Sequence, residues 1–180
     1  MRDLVLIASA LEATYLPAET PVVLVGMGLV PAAVAATRAI LERRPERVVD
    51  PGSVRPLDAS VQGIVRPRAV INRDVGVDTL RAMGAAVTDR IELGGGGPVL
   101  GSGDSFVAGG PEREALARRC QVVDMEGFAI AHACRELEVP LLMVKHVSDA
   151  ADEGAVAWRE LVDRSARALA AEYARIRDGG

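Results

Sequence analysis

Short unbroken runs of aliphatic residues, each closing on glycine or an acid, set the terms for what this chain can fold into. Leu4-Val5-Leu6-Ile7-Ala8 has no polar alternation, so it reads as a strand buried on both faces, as in a parallel sheet covered by helices. Val22-Val23-Leu24-Val25 repeats the pattern and stops at Gly26-Met27-Gly28. Arg47-Val48-Val49 leads into a third strand, expected to end in a turn at Pro51-Gly52-Ser53. Gln121-Val122-Val123 and Leu141-Leu142-Met143-Val144 supply two more.

Helical spacing fills the intervals. A helix is expected from about Val30 to Arg43, with Pro31 in its first turn and Val30, Val34, Ala35 and Leu41 as its apolar positions. Pro111 to Arg119 reads as a short helix, and Gly127 to Leu137 as another. From about Ala157 to Arg177, Trp158, Leu161, Val162, Ala166, Leu169 and Tyr173 recur on one face, which predicts an amphipathic helix lying on the sheet. Strands alternating with helices give the α/β class. A length of 180 residues suits one domain over residues 1–180, a three-layer α/β/α sandwich around a central mixed sheet. The middle, from about Val54 to Gly103, offers only short β-like pieces (Gly63-Ile64-Val65 and Ala69-Val70-Ile71) and a run of glycines, Gly94 to Gly97, expected to be a loop.

Composition removes several classes of function. Aromatic residues make up 3% of the chain, too few for a base-stacking nucleic-acid surface. The formal net charge is −4 and no dense Lys/Arg cluster occurs, which argues against binding a duplex through its phosphates. No apolar run approaches the roughly 20 residues that span a bilayer, and the N-terminus lacks a cleavable signal. The protein is therefore expected in the cytoplasm, with no membrane and no nucleic-acid partner. Cys120 and Cys134 lack metal-ligand spacing and read as buried free thiols of a reducing compartment. His132 and His146 are too far apart for a zinc site and read as structural. No metal and no cofactor is expected.

The chemistry sits where the apolar runs end. Glu12 follows the first, Gly26 and Gly28 the second, Gly52 and Ser53 the third, Met125 and Glu126 a later one, and Ser148 and Asp149 the last. If the strands are parallel, these groups gather at one edge of the sheet, where α/β proteins bind ligands. Small residues leave room there, and carboxylates supply proton chemistry. Any one acid could equally cap a helix, but three at strand ends point to one cleft.

These segments resemble the nucleoside phosphorylase/nucleosidase superfamily, and most of all the branch that hydrolyses methylthioadenosine and S-adenosylhomocysteine. The resemblance is carried by Leu6-Ile7-Ala8-Ser9-Ala10-Leu11-Glu12, Gly26-Met27-Gly28, Gly52-Ser53, Ser102-Gly103-Asp104-Ser105-Phe106-Val107, Met125-Glu126 and Ser148-Asp149. It implies a purine nucleoside as substrate and a homodimer as the assembly. It also implies roles. Asp149, kept protonated by partial burial and oriented by Ser148, would protonate the departing purine. Glu12 would activate or position the attacking water, with Ser53 helping to hold it. Glu126 would grip the ribose hydroxyls and Met125 would pack on the sugar. Phe106 would lie against the base, and the backbone of Val107 would read its edge.

The chain also departs from that pattern. Val54-Arg55-Pro56 stands where small residues are usual, so Arg55 would either meet an anionic group of the substrate or face solvent. Lys145 stands where arginine is usual, and the middle region is short. Hydrolysis is the expected reaction. Phosphorolysis is the alternative, with Arg55 as its cation, and a catalytically silent nucleoside-binding protein is a third reading. A dinucleotide-binding motif at Gly26-Met27-Gly28 lacks its third glycine, since position 31 is proline.

Overall fold

The computed structural model describes residues 2–107, 110–147 and 155–179. In chain order its elements are β1 (Asp3–Ile7), β2 (Val22–Leu24), α1 (Leu29–Arg43), β3 (Arg47–Pro56), β4 (Gly63–Val65), β5 (Ala69–Asn72), α2 (Val77–Ala82), β6 (Arg90–Glu92), β7 (Val99–Ser102), α3 (Gly110–Ala117), β8 (Val122–Asp124), α4 (Gly127–Glu136), β9 (Leu141–Val147) and α5 (Ala155–Arg177). The strands form one mixed sheet in the order β2-β1-β3-β8-β7-β5-β6, with β9 lying between β3 and β4.

The sheet is covered on both sides, which explains the unbroken apolar run of β1. Leu4 and Leu6 pack with Ala32, Ala36, Ala39 and Ile40 of α1 and with Ile130, Ala133 and Cys134 of α4. Val5 and Ile7, alternating with them, meet Val49 and Tyr173 of α5 on the other face. Val144 of β9 packs on Leu169 and Ile176 of the same helix. This is the expected α/β/α layering.

Two expectations change. The buried side of α1 is its alanine face, and Val30, Val34 and Leu41 are exposed. Small side chains let α1 and α4 approach closely, so the larger aliphatics point away. The third strand does not turn at Pro51-Gly52-Ser53; β3 runs straight through them to Pro56. It can do so because its neighbours change. β9 pairs with Val48 to Val54 along one edge. On the other edge β1 pairs only up to Val49, and β8 takes over at Arg55. Val48 donates its amide toward Pro140 on the β9 side, so alternate residues Val49, Pro51, Ser53 and Arg55 face the other edge. Pro51, which has no amide to donate, sits where no strand needs one.

The seam between β1 and β8 is where the ends of those strands meet. β8 runs antiparallel to β3, with Val123 opposite Arg55. The chain beyond Asp124 therefore comes back toward Ser53 and Gly52, while the chain beyond Ile7 arrives from the other side. Glu12 and Glu126 converge in a gap within the sheet rather than along one edge of parallel strands.

Candidate active site

Glu12 fills the gap in β3. Its Oε1 accepts the Ser53 backbone amide at 2.9 Å and the Ser53 hydroxyl at 2.7 Å. Its Oε2 accepts the Ser9 hydroxyl at 3.1 Å. A side-chain carboxylate thus takes the place of a neighbouring strand, and it is itself buried. Three donors on one carboxylate fix its orientation.

Glu126 enters from the opposite side, at the residue that precedes α4. Its Oε1 accepts the Gly28 amide at 3.1 Å and its Oε2 the Met125 amide at 3.3 Å. Gly28 ends the turn before α1, and Asp104 accepts the next amide, that of Leu29, at 2.7 Å. The unpaired amides that open α1 are therefore met by two acids. Gly28 has φ 101°, and a Cβ there would lie 2.9 Å from Asp104 Oδ1, so both conformation and space demand glycine.

Beneath Glu126 lies a buried ionic cluster. Lys145 of β9 reaches Asp50 of β3 at 2.9 Å and Asp124 of β8 at 3.2 Å, with all three side chains almost wholly inaccessible. Asp124 also accepts the Ser102 hydroxyl at 2.5 Å and the Gly127 amide at 3.1 Å, which caps α4. Ser102 in turn accepts the Phe128 amide at 2.8 Å. Gly52 lies opposite Lys145 in the ladder, and a Cβ there would sit 3.0 Å from Nζ. Burial raises Asp50 to about 6 against the pull of Lys145. Burial opposes the charge on Lys145 too, yet Asp50 and Asp124 together hold it above the usual lysine range.

Glu126 feels this cluster directly. Burial, then the Asp124 carboxylate, push it up to about 8, while Lys145 and the Gly28 amide pull it down and Glu12 adds to the rise. The sign of the linkage follows. The folded state holds the Glu126 proton up to about pH 8, whereas an unfolded glutamate releases it near 4.3. Stability therefore falls as pH rises through that window. Glu126→Gln is expected to flatten the slope, so that wild type loses about 3.5 kcal/mol more than the variant between about pH 5 and pH 8 in urea unfolding. Parallel curves for the two proteins would contradict the buried, proton-holding state of Glu126.

A third group of residues forms the loop after β7. Arg73, buried at the end of β5, donates to the Gly103 carbonyl at 2.9 Å, to the Ser105 hydroxyl at 2.8 Å and to the Ser105 carbonyl. Asp74 accepts the Asp104 amide at 2.6 Å. Arg55, on the same side of β3 as Ser53, donates to the Val107 carbonyl at 3.0 Å and lies 5.2 Å from the Phe106 ring centre. Val107 is buried, but Phe106 is 71% exposed, with the guanidinium on its face. Arg55 is half-buried and points neither fully to solvent nor to an acid among the described residues.

Of the residues singled out in the sequence, the structure brings Glu12, Ser53, Met125 and Glu126 to the seam and sets Arg55, Phe106 and Val107 along the adjoining loop. Ser148 and Asp149 lie outside the described residues. Sequence reasoning overlooked Ser9, Asp50 and Asp124. Asp50 and Asp124 could have been noticed as lone acids closing the runs Val48-Val49 and Val122-Val123, where a solvated charge has no place. Lys145, which stands where arginine is usual in the resemblance, has Asp50 and Asp124 as its partners among the described residues. His146 is bonded to Ser165 of α5 at 2.9 Å, away from the cluster. Among the described residues no group of His, Cys, Asp and Glu could hold a metal ion, and both cysteines are buried and free, their thiols raised by burial to about 11 and 12.

A family model for the Phosphorylase superfamily matches residues 97–177, which carry β7, Asp124, Glu126 and Lys145. The matched stretch is similar to that superfamily and spans a little under half of the chain. Its similarity runs to the nucleosidases. The 5′-methylthioadenosine/S-adenosylhomocysteine nucleosidase of Staphylococcus epidermidis is 27% identical over 167 residues, covering 78% of this chain and 73% of that one. The aminodeoxyfutalosine nucleosidase of Helicobacter pylori is 35% identical over 75 residues, 40% of this chain and 33% of that one. In three dimensions, a mutant of the Helicobacter pylori methylthioadenosine/adenosylhomocysteine nucleosidase with 5′-methylthioadenosine in its active site superposes with a TM-score of 0.83, at 21% identity and 98% coverage of both chains. A futalosine hydrolase mutant from the same organism gives 0.84 at 20% identity and 99% coverage of both chains. At these identities the superpositions establish the fold alone, the mixed sheet between helical layers described above.

Proposed function

We propose that the protein is a purine nucleosidase that hydrolyses the N-glycosidic bond of an adenosine-type nucleoside, of the methylthioadenosine/adenosylhomocysteine kind. The observation that carries this reading is the Glu12 carboxylate, clamped by Ser53 and Ser9 in the seam of the sheet within electrostatic reach of Glu126. A fixed, buried carboxylate is suited to taking a proton from water, and it repels phosphate. Glu126 and Met125 hold the ribose. Phe106 and the Val107 backbone bound the base side, where the exposed ring of Phe106 offers an open apolar face. Asp149, oriented by Ser148, protonates the purine as the sugar gains oxocarbenium character. Arg55 steadies the base-side loop through Val107.

Two further supports concern setting. The two cysteines, buried and unpaired, suit a reducing cytoplasm, and no helix among the described residues is long and apolar enough to cross a membrane. Leu24, Met27, Val30, Val34 and Leu41 expose large apolar side chains on β2, the turn after it and α1, which suits burial against a second copy in a homodimer.

Product analysis with and without inorganic phosphate tests the reaction. Hydrolysis gives free base and free sugar in either buffer. A sugar 1-phosphate appearing only with phosphate would replace this reading with phosphorolysis. Both nearby cations argue for water: Lys145 is held by two acids, and Arg55 is turned to a carbonyl.

A further inference from the structure

The sugar-gripping role of Glu126 meets an electrostatic obstacle. A carboxylate binds vicinal hydroxyls best when ionised, because charge-assisted bonds are the stronger ones. Yet Glu126 is buried, and the charged groups facing it are mostly acids: Asp124 from β8, Glu12 from the segment after β1, and Asp104 across Gly28 at the start of α1. The cation that acts on it is Lys145 from β9, which pairs with Asp124, the acid that also accepts the amide of Gly127 next to Glu126. The position of that cation is fixed on three sides. Asp50 holds it at 2.9 Å and Asp124 at 3.2 Å, while Gly52 gives it room that a side chain would take. Asp50 Oδ2 has no hydrogen bond among the described residues, so its charge is answered by the ion pair with Lys145.

We propose that Lys145 is a positioning residue for sugar recognition: pinned by Asp50 and Asp124, it supplies the counter-charge under which Glu126 grips the ribose hydroxyls as a carboxylate. The proposal rests on the nucleosidase reading of Glu126. Lys145 touches no substrate in this scheme. Asp50 competes with Glu126 for the same cation, so the two neighbours of Lys145 have opposite effects when removed. Taking away Asp50 leaves more of the cation's field for Glu126 and lowers its titration midpoint. Taking away the cation raises the midpoint. A purely structural ion pair predicts no such opposition.

The test is a carboxyl NMR titration of the full-length protein labelled at glutamate, with the Glu126 signal assigned by its loss in Glu126→Gln. Alongside it, KM and kcat are measured against pH for methylthioadenosine. Asp50→Asn is expected to move the Glu126 midpoint down by about one pH unit, and Lys145→Gln to move it up by at least that much. At neutral pH, Lys145→Gln should raise KM by about tenfold with kcat changed far less, and Lys145→Arg should restore most of the loss. If Lys145→Gln does not fold, Asp50→Asn decides alone, since it removes an acid from an acid-rich cluster and keeps the cation. A Glu126 midpoint unmoved in the folded variants overturns the proposal. A protein that cleaves no nucleoside refutes the nucleosidase reading instead, and the titration still decides whether Lys145 governs Glu126.

Discussion

Asp149→Asn is expected to cut the release of free purine by about a thousandfold while nucleoside binding stays within a few-fold of wild type. Breaking an N-glycosidic bond leaves electrons on the purine, and an unprotonated purine anion is a poor leaving group. A carboxylic acid at the base removes that difficulty by giving up its proton as the bond lengthens. Asparagine keeps the size and a hydrogen-bonding amide but has no proton of comparable acidity. Ground-state contacts therefore persist and the transition state loses its acid, which lowers kcat far more than it raises KM. The measurement is steady-state base release together with calorimetric titration of a non-cleavable nucleoside analogue. Turnover within about tenfold of wild type would remove Asp149 from the acid's role.

Glu12→Gln is expected to slow hydrolysis by two to four orders of magnitude, the usual reach of a general base, written here as roughly 10² to 10⁴. The structure makes this substitution a clean one. A glutamine oxygen can still accept the amide and hydroxyl of Ser53, and its nitrogen can donate to the Ser9 hydroxyl, which is able to accept. The seam therefore stays closed, and thermal stability should change by no more than about 1 kcal/mol. What is lost is the site that receives the proton of the attacking water. Unchanged rates in a folded Glu12→Gln protein would assign water activation elsewhere.

The sequence made the layers legible because burial on both faces leaves an unmistakable mark. β1 and β9 carry apolar runs, Leu4 to Ile7 and Leu141 to Val144, and α4 and α5 show helical spacing against them. It was less informative wherever an element is short. α2, β6 and β7 span six, three and four residues, too few for a period to show, and they are ordered by pairing with distant strands rather than by local preference. The face of α1 was misjudged because its core side is alanine, which carries little hydrophobic signal. Glu12 and Glu126 meet at the seam, though not by the route expected of the acids, and Asp149 lies outside the described residues. Parallel strands were expected to bring them to one edge, whereas β8 runs antiparallel to β3 and delivers Glu126 into the middle of the sheet. Nothing local in Val122-Val123-Asp124 announces strand direction. The ionic cluster under Glu126 was hidden for the same reason, since Asp50, Asp124 and Lys145 are far apart in the chain and become neighbours only through strand pairing.

The clasp between Glu12 and Ser53 gives one side chain two employments that natural variation cannot separate. The carboxylate fills a gap in the pairing along one edge of β3, so any replacement too small to reach Ser53 would untie the scaffold as well as silence the proposed chemistry. Descendants of such a chain that lost the reaction would feel pressure to keep an acceptor of glutamate length at this position. A conserved-looking residue there would then testify to mechanical need, and only its protonatable oxygen would speak for catalysis.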